Sequence, residues 1–134
     1  MSKTKAVMDW LAGFDGEPPK LSSMPEESGD KGVQLVQSDY VLARYIDGTK
    51  LRRITVMLQY VADWSGGADS VNAESMEYGE RWLEWVGSQF PDNVPDVGTV
   101  VRIEPLYNGP VLAMVYQDKA AARYQFTAQI DYRE

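Results

Sequence analysis

Strict alternation of apolar and polar positions marks the C-terminal end of the chain. In residues 120–132 the even-numbered positions are all apolar or aromatic, and most of the odd-numbered positions are polar. A period of two held over about thirteen residues predicts a β-strand with one buried face and one wet face. Because an antiparallel sheet can leave one face in water, we expect this strand to lie at the centre of an antiparallel sheet.

Further strand patterns precede it. Residues 51–63 alternate clearly, although their second face is half apolar, which predicts that a helix or another subunit covers it. Shorter strands are predicted at residues 33–37, 99–107 and 111–117, and residues 39–46 fit either a strand or an irregular segment. Asn108-Gly109 is a strong hairpin-turn signal and predicts that the last three strands form a meander.

Two stretches have helical periodicity instead. Val7, Trp10, Leu11 and Phe14 form an apolar stripe within residues 3–14. Residues 73–90 form a second helix, with Asn72 as its N-cap and an apolar stripe of the following residues: Met76, Gly79, Trp82, Leu83, Val86 and Phe90. The glutamates of this helix are interpreted as a solvated face.

The order of these elements predicts an α+β fold: an antiparallel β-sheet with two helices packed on one face. The length of 134 residues suits a single domain spanning residues 1–134. Residues 15–32 are rich in Gly and Pro and are predicted to form a long flexible loop or arm, either a plain linker or a functional segment.

Composition limits the chemistry. The chain has no cysteine and no histidine, which removes thiol nucleophiles, thiolate or imidazole metal ligands and the commonest general base. We therefore predict no enzymatic activity, no cofactor and no metal site. A net charge of −7, from 13 basic and 20 acidic residues, argues against binding to the nucleic-acid backbone. No apolar run is long enough to cross a membrane.

Three stretches together resemble one family. They are Tyr45-Ile46-Asp47-Gly48-Thr49-Lys50 before a strand, the second helix with Trp82 and Glu84-Trp85, and the closing strand with Ala122-Arg123-Tyr124-Gln125-Phe126. Over residues 38–134 their order and spacing resemble the minor capsid or tail-completion proteins of long-tailed phages of Firmicutes. The fold of that family resembles the phage tail terminator.

The resemblance implies a structural function. A tail terminator forms a ring, usually of six subunits, at the head-proximal end of the tail tube. It joins the tube to the head connector, and DNA passes through the ring without specific binding. The implied partners are further copies of the chain, the tail tube protein and the head-connector or stopper protein. The implied location is the tail or neck of the virion, after synthesis in the host bacterial cytoplasm.

Two other functions remain open at this point: another neck or head-closure component, and an acidic inhibitor that mimics DNA. In either case we expect interface residues rather than catalytic ones. The candidates are Asp47 and Gly48, in the turn after residue 46, and Trp64 and Asp69, in a loop predicted from Trp64 to Val71. Both segments are expected to be exposed. The arm at residues 16–32 is a further candidate.

Overall fold

The computed structural model describes residues 3–15, 20–21, 31–64, 69–107, 112–116 and 120–134. The fold is α+β, as predicted. Its elements, in chain order, are α1 (Lys3–Asp15), β1 (Lys20–Leu21), β2 (Lys31–Arg44), β3 (Lys50–Asp63), α2 (Asp69–Gln89), β4 (Thr99–Leu106), β5 (Leu112–Tyr116) and β6 (Ala121–Arg133).

The sheet is built around β6, as its alternation predicts. The strand order is β1-β2-β3-β6-β4, and β5 also pairs with β6. β6 and β3 pair over thirteen consecutive residues without a register shift, from Leu51 opposite Arg133 to Asp63 opposite Ala121. All pairs are antiparallel except β1 with β2. Of residues 39–46, which fitted either a strand or an irregular segment, residues 39–44 belong to β2. The register with β3 shifts between Val36 and Tyr40 and again between Val41 and Ala43.

The predicted meander is wrong. β4 pairs with β6 as far as Leu106 opposite Thr127, and β5 pairs with the same strand from Leu112 opposite Tyr124. Both are antiparallel to β6, so they run in the same direction, one after the other, along a single edge. A hairpin would reverse the chain between them. Asn108 and Gly109 themselves lie outside the described residues.

Both helices pack on the same face of the sheet. The α1 stripe is confirmed: Val7, Trp10 and Leu11 are buried and Phe14 packs against the core. Trp10 contacts Trp85 of α2, with 5.1 Å between the ring centroids. The core side of β6 is buried along its whole length, which gives both helices one continuous apolar floor.

α2 approaches the sheet closely at Gly79. A Cβ atom at this position would lie 1.8 Å from the Phe126 ring, so only glycine allows the contact. The Tyr60 hydroxyl donates to the Ser75 carbonyl at 2.6 Å and accepts from the Gly79 N–H at 3.2 Å. In a regular α-helix the Gly79 N–H would donate directly to the Ser75 carbonyl. The Tyr60 hydroxyl from β3 therefore bridges the donor and the acceptor of one helical hydrogen bond. Burial raises the pKa of Tyr60, which keeps this hydroxyl protonated.

Two boundaries differ from the prediction. α2 begins at Asp69, so Asn72 lies within its first turn and is not the N-cap. Lys20 and Leu21, inside the predicted arm, form β1 and pair with Gly32 and Val33 at the start of β2. The remainder of the arm, residues 16–19 and 22–30, lies outside the described residues.

We expect Gly79→Ala to destabilise the fold by about 3 kcal/mol, because the added methyl overlaps the Phe126 ring. This is opposite in sign to the gain of about 1 kcal/mol that alanine brings to an ordinary helix interior. Urea unfolding followed by circular dichroism measures the change. Gly87→Ala is the matched control: its added Cβ would lie 3.2 Å from Pro105, so a small shift accommodates it. Equal effects for the two variants would disprove the close approach.

Candidate assembly surfaces

A rigid turn joins β2 to β3. The Asp47 carboxylate accepts hydrogen bonds from the Thr49 N–H at 3.0 Å and the Thr49 hydroxyl at 2.6 Å. These bonds hold the pKa of Asp47 below its ordinary value. Gly48 has a φ of 88°, which favours glycine at this position. The turn presents Ile46, whose side chain is completely exposed (109%).

The end of β6 buttresses this turn. The Arg133 guanidinium lies 4.4 Å from the centroid of the Tyr45 ring and donates to the Thr49 hydroxyl at 3.1 Å. Lys50 and Glu134 exchange two backbone hydrogen bonds, of 3.1 and 3.0 Å. The turn is therefore tied to the sheet, and Ile46 is held on a fixed support. We call residues 44–50 the hairpin tip.

The sheet face opposite the helices carries an uncharged strip. Along β3 and β6 its side chains are amides, hydroxyls and a thioether, most of them half-buried. The Gln59 amide donates to Gln125 at 3.2 Å, while the carbonyl oxygen of Gln59 is buried and has no hydrogen-bond partner among the described residues. The strip consists of the following residues: Thr55, Met57, Gln59, Gln125, Thr127 and Gln129.

An ion-pair network closes one end of the strip. Asp131 is buried, with 2% of its side chain exposed, and accepts from Arg53 at 2.8 and 3.1 Å. Arg102 of β4 donates to the same carboxylate at 3.0 and 2.5 Å. Burial alone would raise the pKa of Asp131, but the hydrogen bonds and charges of Arg53 and Arg102 outweigh it and lower the pKa. The network ties β3, β6 and β4 together on the helix-free face.

A pocket opens beside the strip, where α2 crosses the edge of β6. Its volume is about 240 Å³. It lies beside the part of β6 between Thr127, where pairing with β4 ends, and Tyr124, where pairing with β5 begins. Its floor is apolar and two carboxylates belong to its wall. The lining residues are Met76, Glu80, Leu83, Glu84, Leu106, Tyr107, Gln125, Phe126 and Thr127.

The predicted site residues do not form one cluster. Asp47 and Gly48 lie in the hairpin tip, as expected of an exposed turn. Trp64 follows the other end of β3, a strand of 14 residues or about 45 Å. The Trp64 side chain is partly buried against the core, and the backbone N–H of Trp64 donates to the Ala120 carbonyl at 3.0 Å. Asp69 is the first residue of α2, so the predicted loop from Trp64 ends there, and residues 65–68 lie outside the described chain.

Several residues of these surfaces were not predicted. Ile46 is not among the predicted site residues, although its position directly before the Asp47-Gly48 turn indicates an exposed apolar side chain. Asp131 sits among the polar positions of β6 and nothing local marks it as buried. Its two arginine partners come from other strands, so only the sheet register brings the three together.

Neither a metal centre nor a membrane span is evident in the described segments. Within them, no group of three or more acidic side chains is arranged to hold a metal ion. No described helix is long and apolar enough to cross a membrane.

The chain matches no protein-family model, and no curated protein matches it.

We expect Asp131→Asn to lower the free energy of unfolding by about 2 kcal/mol at pH 7, because both arginines lose a charged acceptor. The pKa of Asp131 is depressed in the folded state, so its stabilisation is present above the unfolded value of about 4 and disappears as the pH falls through the folded pKa. The two proteins should therefore converge in stability at low pH. Unfolding curves from pH 7 to pH 2 measure this, with the exposed Asp96→Asn as control. A gap that stays constant with pH would contradict the assignment.

Proposed function

We propose that this chain is a structural subunit of a long-tailed phage, a tail terminator that forms a ring at the head-proximal end of the tail tube and joins it to the head connector. The sequence resemblance over residues 38–134 suggests the family. The α+β fold with two helices on one face is the fold which that resemblance implies. Such a protein acts by binding neighbouring subunits and letting DNA pass.

The uncharged strip is the observation that carries the proposal. Protein interfaces are depleted of charged residues at their centre, and Met and Arg are enriched in them. The strip shares these features. Its middle, where Met57 lies among Thr and Gln side chains, carries no charge, and Arg53, Arg102 and Arg123 lie at the ends. An uncharged, half-buried, helix-free face of this kind is suited to burial against another subunit.

The ring proposal requires heterologous contacts, in which two different surfaces of one subunit meet. The strip is one such surface, and it is rigid because β3 and β6 pair without interruption. Rigid surfaces lose little conformational entropy on association. We assign the strip to the subunit–subunit contact of the ring.

One feature favours the DNA-mimic alternative. Glu77, Glu80 and Glu84 are exposed and follow i, i+3, i+7 spacing, so they form one acidic row along α2. A mimic would be a stable monomer or dimer that competes with DNA for a basic partner. The state of assembly therefore separates the two functions.

We expect native mass spectrometry of the full chain to show a closed ring, with six copies as the principal species. The double variant Thr55→Lys/Gln129→Glu should remain folded but fail to form the ring. Thr55 and Gln129 are cross-strand partners, so the new charges neutralise each other within the sheet while placing two ions inside the strip.

The matched control is Glu74→Lys, an exposed change on α2 away from the strip. It should leave the ring intact. Circular dichroism checks that each variant is folded. A wild-type protein that stays monomeric at every concentration and displaces DNA from a basic protein would overturn the proposal in favour of the mimic.

A further inference from the structure

The hairpin tip presents two neighbouring exposed apolar side chains, Tyr45 and Ile46, which we call the plug. Ile46 is fully exposed, and the adjacent Tyr45 is 40% exposed, so two large apolar side chains stand together at the end of a long hairpin. A single exposed apolar residue is ordinary on a protein surface. This one is held by the Asp47–Thr49 hydrogen bonds and by Arg133, so its position is preorganised for binding.

We call the pocket beside the strip the socket. Leu83, Leu106 and Phe126 supply the apolar floor. The pocket volume of about 240 Å³ is below the range of about 300–1,000 Å³ typical of small-molecule sites. That volume suits one apolar side chain of a protein partner. Gln125 and Thr127 belong to both the pocket and the strip, so the two surfaces are continuous.

Charges beside the plug and the socket are complementary. Arg44 and Lys50 are direct cross-strand partners at the tip, an unfavourable pairing of like charges. Glu80 and Glu84 line the socket four residues apart on α2, which is also an unfavourable like pair. No described carboxylate pairs with Arg44 or Lys50, and no described cation pairs with Glu80 or Glu84. In each pair the Cβ atoms lie about 5 Å apart, as they do for i,i+4 neighbours on a helix and for directly opposite residues in a sheet. The two pairs are opposite in sign.

Plug and socket lie on different parts of one subunit. The socket is level with Thr127, which pairs with Met57, and the tip begins seven residues earlier at Lys50, about 20 Å along β3. The tip belongs to the β2–β3 side of the sheet, whereas the socket opens at the β4–β5 edge of β6. One subunit therefore cannot fill its own socket, but a neighbour can fill it.

We propose that Ile46 of one copy inserts into the pocket of the next copy, with Arg44 and Lys50 paired to Glu80 and Glu84, in a head-to-tail contact. This inference rests on the ring proposed above and names the segment that covers one end of the strip. Because the contact is heterologous, every added subunit presents a new free plug or socket until the ring closes.

Loss of either half should weaken assembly. We expect Ile46→Asp to raise the dissociation constant between copies at least about tenfold, since the buried apolar side chain is lost. Glu80→Lys/Glu84→Lys should have a similar effect through repulsion. Val101→Asp changes another exposed apolar residue, and Glu74→Lys/Glu77→Lys reverses two exposed charges outside the pocket. Both controls should assemble as the wild type does.

Mixing the two defective proteins tests whether the contact between copies is head-to-tail. The Ile46→Asp protein keeps its socket, and the Glu80→Lys/Glu84→Lys protein keeps its plug. Mixed in equal amounts, they should form a one-to-one heterodimer that grows no further, because its remaining plug and socket are both defective. The fourfold variant Arg44→Glu/Lys50→Glu/Glu80→Lys/Glu84→Lys restores complementarity in every copy and should assemble again.

Cross-linking reports the contact independently of ring closure. The chain has no cysteine, so single Ile46→Cys and Tyr107→Cys proteins each carry one thiol. A short bismaleimide should join the two mixed proteins, and replacing Ile46→Cys by Val101→Cys should abolish the product.

The outcomes of these experiments separate the two proposals. A wild-type ring that Ile46→Asp and Glu80→Lys/Glu84→Lys leave unchanged, with no cross-link, overturns the plug-and-socket contact and leaves the ring standing. Cross-linked open filaments support the contact and overturn the ring. A strict monomer without cross-links overturns both.

Discussion

The register between β3 and β6 is the constraint on which the rest of the structure depends. Thirteen consecutive pairs hold it without a bulge. It places Tyr60 and Phe126 under α2 on one face and Arg53 opposite Asp131 on the other. A slip of one residue would turn every side chain of a strand to the opposite face. The core, the uncharged strip and the ion-pair network are thus three consequences of one pairing.

Local periodicity predicted the parts of the fold that local forces determine. The alternation along residues 120–132 identified β6 and its central place, and the 3.6-residue stripes identified both helices. It failed where a distant contact decides the outcome. Asn108-Gly109 has the chemistry of a hairpin turn, yet β4 and β5 share one edge of β6. Gly79 looks like a weak helix residue, and only its contact with Phe126 explains it.

The same distinction applies to the candidate site. Asp47 and Gly48 were predicted as an exposed turn because their turn chemistry is local, and they support Ile46 in the hairpin tip. The pocket combines side chains from α2, β4 and β6 that are far apart in sequence. No spacing rule brings such residues together. Trp64 shows the opposite error: it follows a strand and precedes a Gly-rich stretch, but it packs against the core.

The overall charge of −7 hides an uneven distribution. Seven of the 13 basic residues lie near the hairpin-tip end of the sheet: Lys3, Arg44, Lys50, Arg52, Arg53, Arg102 and Arg133. Five of them pair with Asp47, Asp131 or Glu134, whereas Arg44 and Lys50 pair with no described carboxylate. α2 carries the exposed glutamates on the other side. At long range the net charges of two copies repel, whereas in the proposed contact Arg44 and Lys50 of one copy would meet Glu80 and Glu84 of the next. Repulsion with one complementary orientation selects against random association and favours head-to-tail addition.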